Sequence, residues 1–128
     1  TQIAVAGVAI GAAAAAQRAL AGPAVFSSLM MISPPLGKGP GQEQLRAYTV
    51  RFASAELLPG RIFQSVGRYE ARGRFVKPAQ TLSAILSSRA DLAYRYVETG
   101  SGHGLVGFAS IMPEALAWTL PGAAAQTP

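Results

Sequence analysis

Ile3-Ala-Val-Ala-Gly-Val-Ala-Ile-Gly-Ala-Ala-Ala-Ala-Ala16 is the run on which the reading of this chain turns: it carries no charge and consists of small and aliphatic residues. Alanine is the strongest helix former, so the run reads as helix. Gln17–Arg18 interrupts it, and a second apolar run, Ala19 to Ile32, follows. A spanning helix needs about 20 apolar residues, more than either run offers alone and fewer than the two together. Arg18 at the centre of a bilayer would cost roughly 2.5–3.5 kcal/mol unless it snorkelled or paired within a complex. The same composition also suits a packed soluble helix, but the expectation is an apolar, membrane- or complex-embedded helical arm over residues 1–32. Gly7 and Gly11, extended by Ala15, recur every four residues, the spacing that puts small residues on one helix face for close helix–helix approach.

Charge is distributed unevenly outward from this arm. Arg18 is the one charge before residue 37, and Glu114 the one charge after residue 98. The whole formal net charge of +5 therefore belongs to the centre of the chain. Ser33-Pro-Pro-Leu-Gly-Lys-Gly-Pro-Gly41 cannot continue a helix and reads as an extended Pro/Gly connector over 33–41. Gly37-Lys38-Gly39 is no phosphate loop, since no Ser or Thr follows the lysine and the earlier glycine is missing.

The centre, residues 42–98, reads as a basic amphipathic helical region. Leu45, Tyr48, Phe52 and Ala55 share a face of a helix that Pro59–Gly60 ends, against a weaker strand-like alternation from Tyr48 to Phe52. Ile62, Phe63, Val66 and Tyr69 suggest a second helix over 61–71. Pro78 suits the first turn of a third, which Leu82, Ile85, Leu86, Leu92 and Tyr96 extend to Glu98. Arg61, Arg68, Arg72, Arg74 and Lys77 form the expected basic surface for a partner or for lipid head groups.

Residues 99–104 form a Gly-rich loop. It follows a predicted helix and lacks a downstream acid, which argues against a dinucleotide-binding turn. His103 in that loop is the candidate for axial binding of a metal or pigment, although an exposed loop histidine with no partner is the commoner case. Residues 105–120 are apolar, kinked at Pro113 and end near Trp118, which suits an interfacial anchor. Residues 121–128 read as a tail.

The rare residues exclude whole classes. No cysteine means no disulfide, thiolate metal site, Fe–S ligation or thiol nucleophile. One histidine, one aspartate and no asparagine leave Asp91 and His103 as the only Ser–His–Asp composition, and their spacing gives no support to a triad. Nine arginines against two lysines fit a coding bias better than phosphate binding. The chain begins at Thr1 with no initiator Met or charged secretory start, which suits an imported protein freed of a targeting peptide.

These features predict a mostly α fold: an apolar N-terminal helix, basic amphipathic central helices and an apolar kinked C-terminal helix joined by extended Pro/Gly-rich connectors. The functional expectation is a non-enzymatic accessory subunit of a multisubunit membrane complex, such as a photosystem or respiratory assembly. Its partners would be neighbouring subunits and anionic lipid head groups, with no intrinsic cofactor beyond a bound lipid or pigment. Its location would be a thylakoid, inner mitochondrial or bacterial inner membrane, with the basic centre on the stromal, matrix or cytoplasmic side.

Two alternatives stand beside it. A small-residue first helix followed by Pro34-Pro35-Leu36, then Gln44-Leu45-Arg46, Leu58-Pro59 and Met112-Pro113, loosely resembles small four-helix membrane proteins of the anthrone-oxygenase-like kind. That resemblance implies a small membrane enzyme, but it covers isolated positions, lacks the second hydrophobic helix between Gly73 and Glu98, and assigns no residue a role. The other alternative is a soluble basic helical module binding nucleic acid or an acidic partner, recognisable by steep salt dependence.

Overall fold

The computed structural model describes residues 3–22, 24–37 and 42–121, with the side chains of residues 42–46 and 48 outside the description. The part of the 33–41 connector beyond Gly37, including Lys38, and nearly all of the 121–128 tail therefore lie outside the described residues.

The fold is α/β, not mostly α. Four parallel strands, β1 (Ala4–Val8), β2 (Ser28–Ile32), β3 (Arg61–Gly67) and β4 (Ala93–Thr99), pair in the order β1-β2-β3-β4. Helices α1 (Ile10–Ala21), α2 (Gln42–Ser54) and α3 (Lys77–Ser87) fill the three crossovers, and α4 (Leu105–Thr119) follows β4. A π-helical turn, Arg72–Val76, leads into α3.

Topology sets the layers. Crossovers between parallel neighbours are right-handed, so three successive steps in one direction put α1, α2 and α3 on the same face. Their residues Ala12, Ala16, Phe52, Leu82 and Leu86 pack there against Leu29, Met31 and Ile62. The alternate side chains Met30, Ile32 and Phe63 point the other way and are covered by Ile111 and Ala115 of α4. Alternation along a strand thus supplies two cores from one sheet.

The apolar arm resolves into β1, α1 and β2. All five residues of β2 are buried, because a parallel strand covered on both faces needs apolar side chains on both. That removes the period-two signal and makes the strand read like buried helix. The helix expected over 61–71 is β3 followed by a turn, and the helix expected to run to Glu98 stops at Ser87 and gives way to β4. The helices over 42–54 and 105–119 are present, and α4 continues through Pro113.

No helix among the described residues is long and apolar enough to cross a membrane. The apolar helices α1 and α4 have 12 and 15 residues, about 18 and 22 Å at 1.5 Å per residue, short of a hydrocarbon core of about 30 Å. The expected membrane location loses its structural basis, and Arg18 sits exposed in the last turn of α1. Strand β1 pairs with β2 on one side alone among the described residues.

Candidate active site

The C-terminal ends of parallel strands lie along one edge of the sheet, and three of them carry chemistry here. The first is the turn from β1 into α1. Ala9 stands at its apex with φ 54° and ψ −125°, a conformation that side-chain-bearing residues adopt at a cost of about 1–3 kcal/mol. The turn holds that shape because both the N–H and the carbonyl of Ala9 are bonded. Ala9 N–H donates to Ile32 O at 2.8 Å, and Ala12 N–H to Ala9 O at 2.9 Å. Gly7 makes the tightness feasible: a Cβ there would lie 2.0 Å from Gly11 O. The Gly7/Gly11/Ala15 spacing therefore describes a strand-to-helix turn, with Gly7 in β1 and only Gly11 and Ala15 on α1.

The second element follows β3. Gly67 begins a tight turn closed by Glu70 N–H to Gly67 O at 3.0 Å, and a Cβ on Gly67 would meet Ser101 O at 2.3 Å. The turn delivers Glu70 into the interior with its side chain fully buried. A buried carboxylate needs partners, and Glu70 has three. Oε2 accepts from Ser33 Oγ and from Gly67 N–H, both at 2.6 Å, and Oε1 lies 2.5 Å from His103 Nδ1.

The third element is the loop after β4. Arg68 N–H to Thr99 O and Tyr69 N–H to Ser101 O continue the β3–β4 ladder past the strand ends, so residues 99–104 are tethered rather than free. His103 is held from three sides. Glu70 takes Nδ1, Phe75 of the π-helical turn lies 4.6 Å from its ring centroid, and Phe108 of α4 stands edge-on at 5.1 Å. Its side chain remains 40% exposed. With Nδ1 committed to Glu70, Nε2 is the nitrogen available to accept a proton. The start of α4, which follows that loop, lies beside the first element: Leu105 and Phe108 share a groove with Val8, the residue before Ala9.

The remaining sequence candidates fall elsewhere. Asp91, the acid that composition suggested for a triad, is exposed and paired with Arg89 at 2.7 Å. Arg61 lies at the start of β3 and Arg68 just past its end, about 23 Å apart at 3.3 Å per residue. The guanidinium of Arg61 donates to Trp118 O at 2.8 and 3.1 Å and stacks 4.2 Å from the Trp118 ring. Both side chains are thus engaged in packing α4 onto the sheet. Arg68, Arg72 and Lys77 are exposed near the opposite edge, and Arg74 lies 5.7 Å from the Phe75 ring. No group of three metal-ligating side chains occurs among the described residues.

Sequence reading singled out His103 but missed Glu70 and Ala9. The signal was present: glycines four apart between a short apolar run and an alanine-rich helix, then an acid and a histidine further on, each next to a glycine-marked turn. With alanine where a reactive side chain would draw notice, the glycine pair read as a helix-contact face.

No family model matches the chain, and no curated protein matches it. Among solved structures it resembles the apoenzyme of S-formylglutathione hydrolase from Staphylococcus aureus, with a TM-score of 0.70 at 12% identity over 91% of this chain and 50% of that one. It also resembles dipeptidyl peptidase 4 from Porphyromonas gingivalis, with a TM-score of 0.67 at 10% identity over 93% of this chain and 19% of that one. The chain thus spans half the length of the first and about a fifth of the second. Hydrolase neighbours and the lack of a spanning helix among the described residues overturn the expected accessory subunit of a photosystem or respiratory complex, and with it the ground for a non-enzymatic role. In α/β-hydrolases a Gly-x-Ser-x-Gly turn between strand and helix presents the nucleophile, and acid and histidine follow in that order. The likeness is one of fold over the matched part; in this chain the elbow from β1 into α1 reads Gly7-Val8-Ala9-Ile10-Gly11 with alanine at its apex, and Glu70 and His103 follow it in that order along the chain.

Proposed function

We propose that this chain carries a hydrolytic site for acyl carbonyl compounds (esters or thioesters) in which His103, oriented by Glu70, activates water directly. The observation that carries this reading is the pairing of buried Glu70 with half-exposed His103 on the same sheet edge as a strained elbow whose apex has no hydroxyl. An acid–imidazole pair with an open Nε2 is the general-base half of a triad. Without a side-chain nucleophile the covalent intermediate is bypassed. A water oxygen adds to the carbonyl carbon while its proton passes to Nε2. The tetrahedral intermediate then collapses, His103 returns the proton to the departing alkoxide or thiolate, and acid plus alcohol or thiol leave.

The backbone supports the same chemistry. The first N–H groups of a helix have no intrahelical partner, and Ile10 N–H occupies the position from which the residue after the apex donates to an oxyanion. Sites of this type lacking one triad member retain on the order of 10³–10⁴-fold acceleration over water, so the expected turnover is slow.

The test is hydrolysis of a simple thioester, read as released thiol, by the wild-type chain and two variants. His103→Gln should reduce the rate to background, and the wild-type reaction should slow in D₂O. Ala9→Ser should add a burst and become covalently labelled by a fluorophosphonate. A wild-type rate equal to that of His103→Gln, together with an unlabelled Ala9→Ser chain, would overturn the reading.

A further inference from the structure

We infer that Ser33 is a positioning residue for the Glu70–His103 pair, an inference that rests on the hydrolytic reading above and deepens it. Two described non-glycine residues have positive φ, Ala9 and Ser33, both at 54°. Each directly follows a strand at the sheet edge that carries the site, Ala9 after β1 and Ser33 after β2. The strain at Ala9 belongs to the elbow. The strain at Ser33 has no such explanation, and glycine would relieve it at once.

What glycine could not supply is the hydroxyl. Ser33 is 2% exposed. Its N–H donates to Ser65 O at 2.8 Å, continuing the β2–β3 ladder one residue past the strand, and its Oγ donates to Glu70 Oε2 at 2.6 Å. Gly67 N–H donates to the same oxygen at 2.6 Å. Two donors on Oε2, from the ends of two different strands, fix the carboxylate plane and leave Oε1 to His103 Nδ1. With Gly67 N–H alone the carboxylate would pivot about a single hydrogen bond, and the imidazole it orients would pivot with it. A residue that acts through Glu70 in this way shapes the base without touching substrate.

The experiment uses the chain's single histidine, whose ring resonances need no assignment. With ¹⁵N-histidine, the wild-type Nδ1 proton should appear downfield and exchange slowly, as expected for a hydrogen bond to a buried carboxylate. Ser33→Ala and Ser33→Gly should both move that resonance upfield and broaden it, and slow thioester hydrolysis about tenfold. Ser33→Gly should do so while unfolding at a higher temperature than Ser33→Ala, because relief of the positive-φ strain offsets part of the lost hydrogen bond; a merely structural role would move stability and leave the resonance in place. An unchanged Nδ1 proton in a folded Ser33→Gly chain would overturn the assignment while leaving the hydrolytic reading intact. Absence of the downfield proton from the wild type would instead overturn the Glu70–His103 pair and both readings with it.

Discussion

Replacing Ala9 with glycine should stabilise the protein, contrary to what the same substitution does almost anywhere else. At φ 54° and ψ −125° the alanine methyl costs about 1–3 kcal/mol. Glycine removes that cost, but it gives the unfolded chain extra freedom worth about 0.4–1 kcal/mol. The net gain is about 0.5–2 kcal/mol. Unfolding entropy of about 2.1 cal/mol/K per residue over 128 residues gives roughly 0.27 kcal/mol per degree, so Tm should rise by about 2–7 °C. Scanning calorimetry on Ala9→Gly and Ala14→Gly side by side reads this directly. Ala14 is exposed in the interior of α1, where glycine costs about 1 kcal/mol, or about 4 °C downward. The reasoning is refuted if both variants fall together, because the apex would then be an ordinary helix start rather than a strained elbow.

Other outcomes follow from the same contacts. Arg89 donates to Ala55 O at 2.5 Å and to Phe52 O at 3.3 Å, placing a cation over the C-terminal carbonyls of α2. Arg89→Ala should therefore cost about 1–2 kcal/mol in urea denaturation, and Asp91→Ala, which removes only the exposed partner, much less. Glu70→Ala should cost about 3–5 kcal/mol, since it strands the buried Ser33 hydroxyl and Gly67 N–H; a loss under 1 kcal/mol would show that water replaces the carboxylate. Glu98 is held below the usual carboxylate range, first by the Tyr96 hydroxyl and then by Gln80, while burial and the neighbouring Glu98 push Tyr96 upward. A depressed folded-state value means that Glu98 contributes stability above its ordinary value of about 4.3 and loses it as pH falls through the folded value. Glu98→Gln should thus lower the midpoint at neutral pH, modestly and less so in high salt, with the difference from wild type closing in acid.

Part of this architecture was legible in the residues and part was hidden for identifiable reasons. Phe52, buried on the sheet-facing side, marked α2, and the run from Leu105 marked α4, because each helix shows the sheet one face and solvent the other. The strands were hidden by their own burial. Leu29 to Ile32 point alternately into two different cores, so the apolar residues run on without alternation, and β1 is made of alanine, valine and glycine that read as helix. In β3 buried Gln64 broke the expected pattern, since its amide is satisfied by Ala79 O and Tyr94 Oη only in the folded chain. At the site, His103 stood out as the lone histidine, but its partner was sought among aspartates. Which of five glutamates turns inward depends on the Gly67–Glu70 turn, a tertiary fact.

The elbow is built on a strand that pairs on one side alone among the described residues, and this governs how firmly it is held. Ala9 is braced laterally by one neighbour, through its bond to Ile32 O, whereas Glu70 and His103 hang from β3 and β4, joined by the richest pairing in the sheet. An element supported from one side is among the first to open in local fluctuations. The acid–base pair is thus the stiff half of the site and the apex its compliant half, so rigidity in β1 limits how constant the gap between them stays. A strand lying along the side of β1 that has no pairing partner among the described residues would act on that gap as a splint, tightening the site without contributing a single side chain to it.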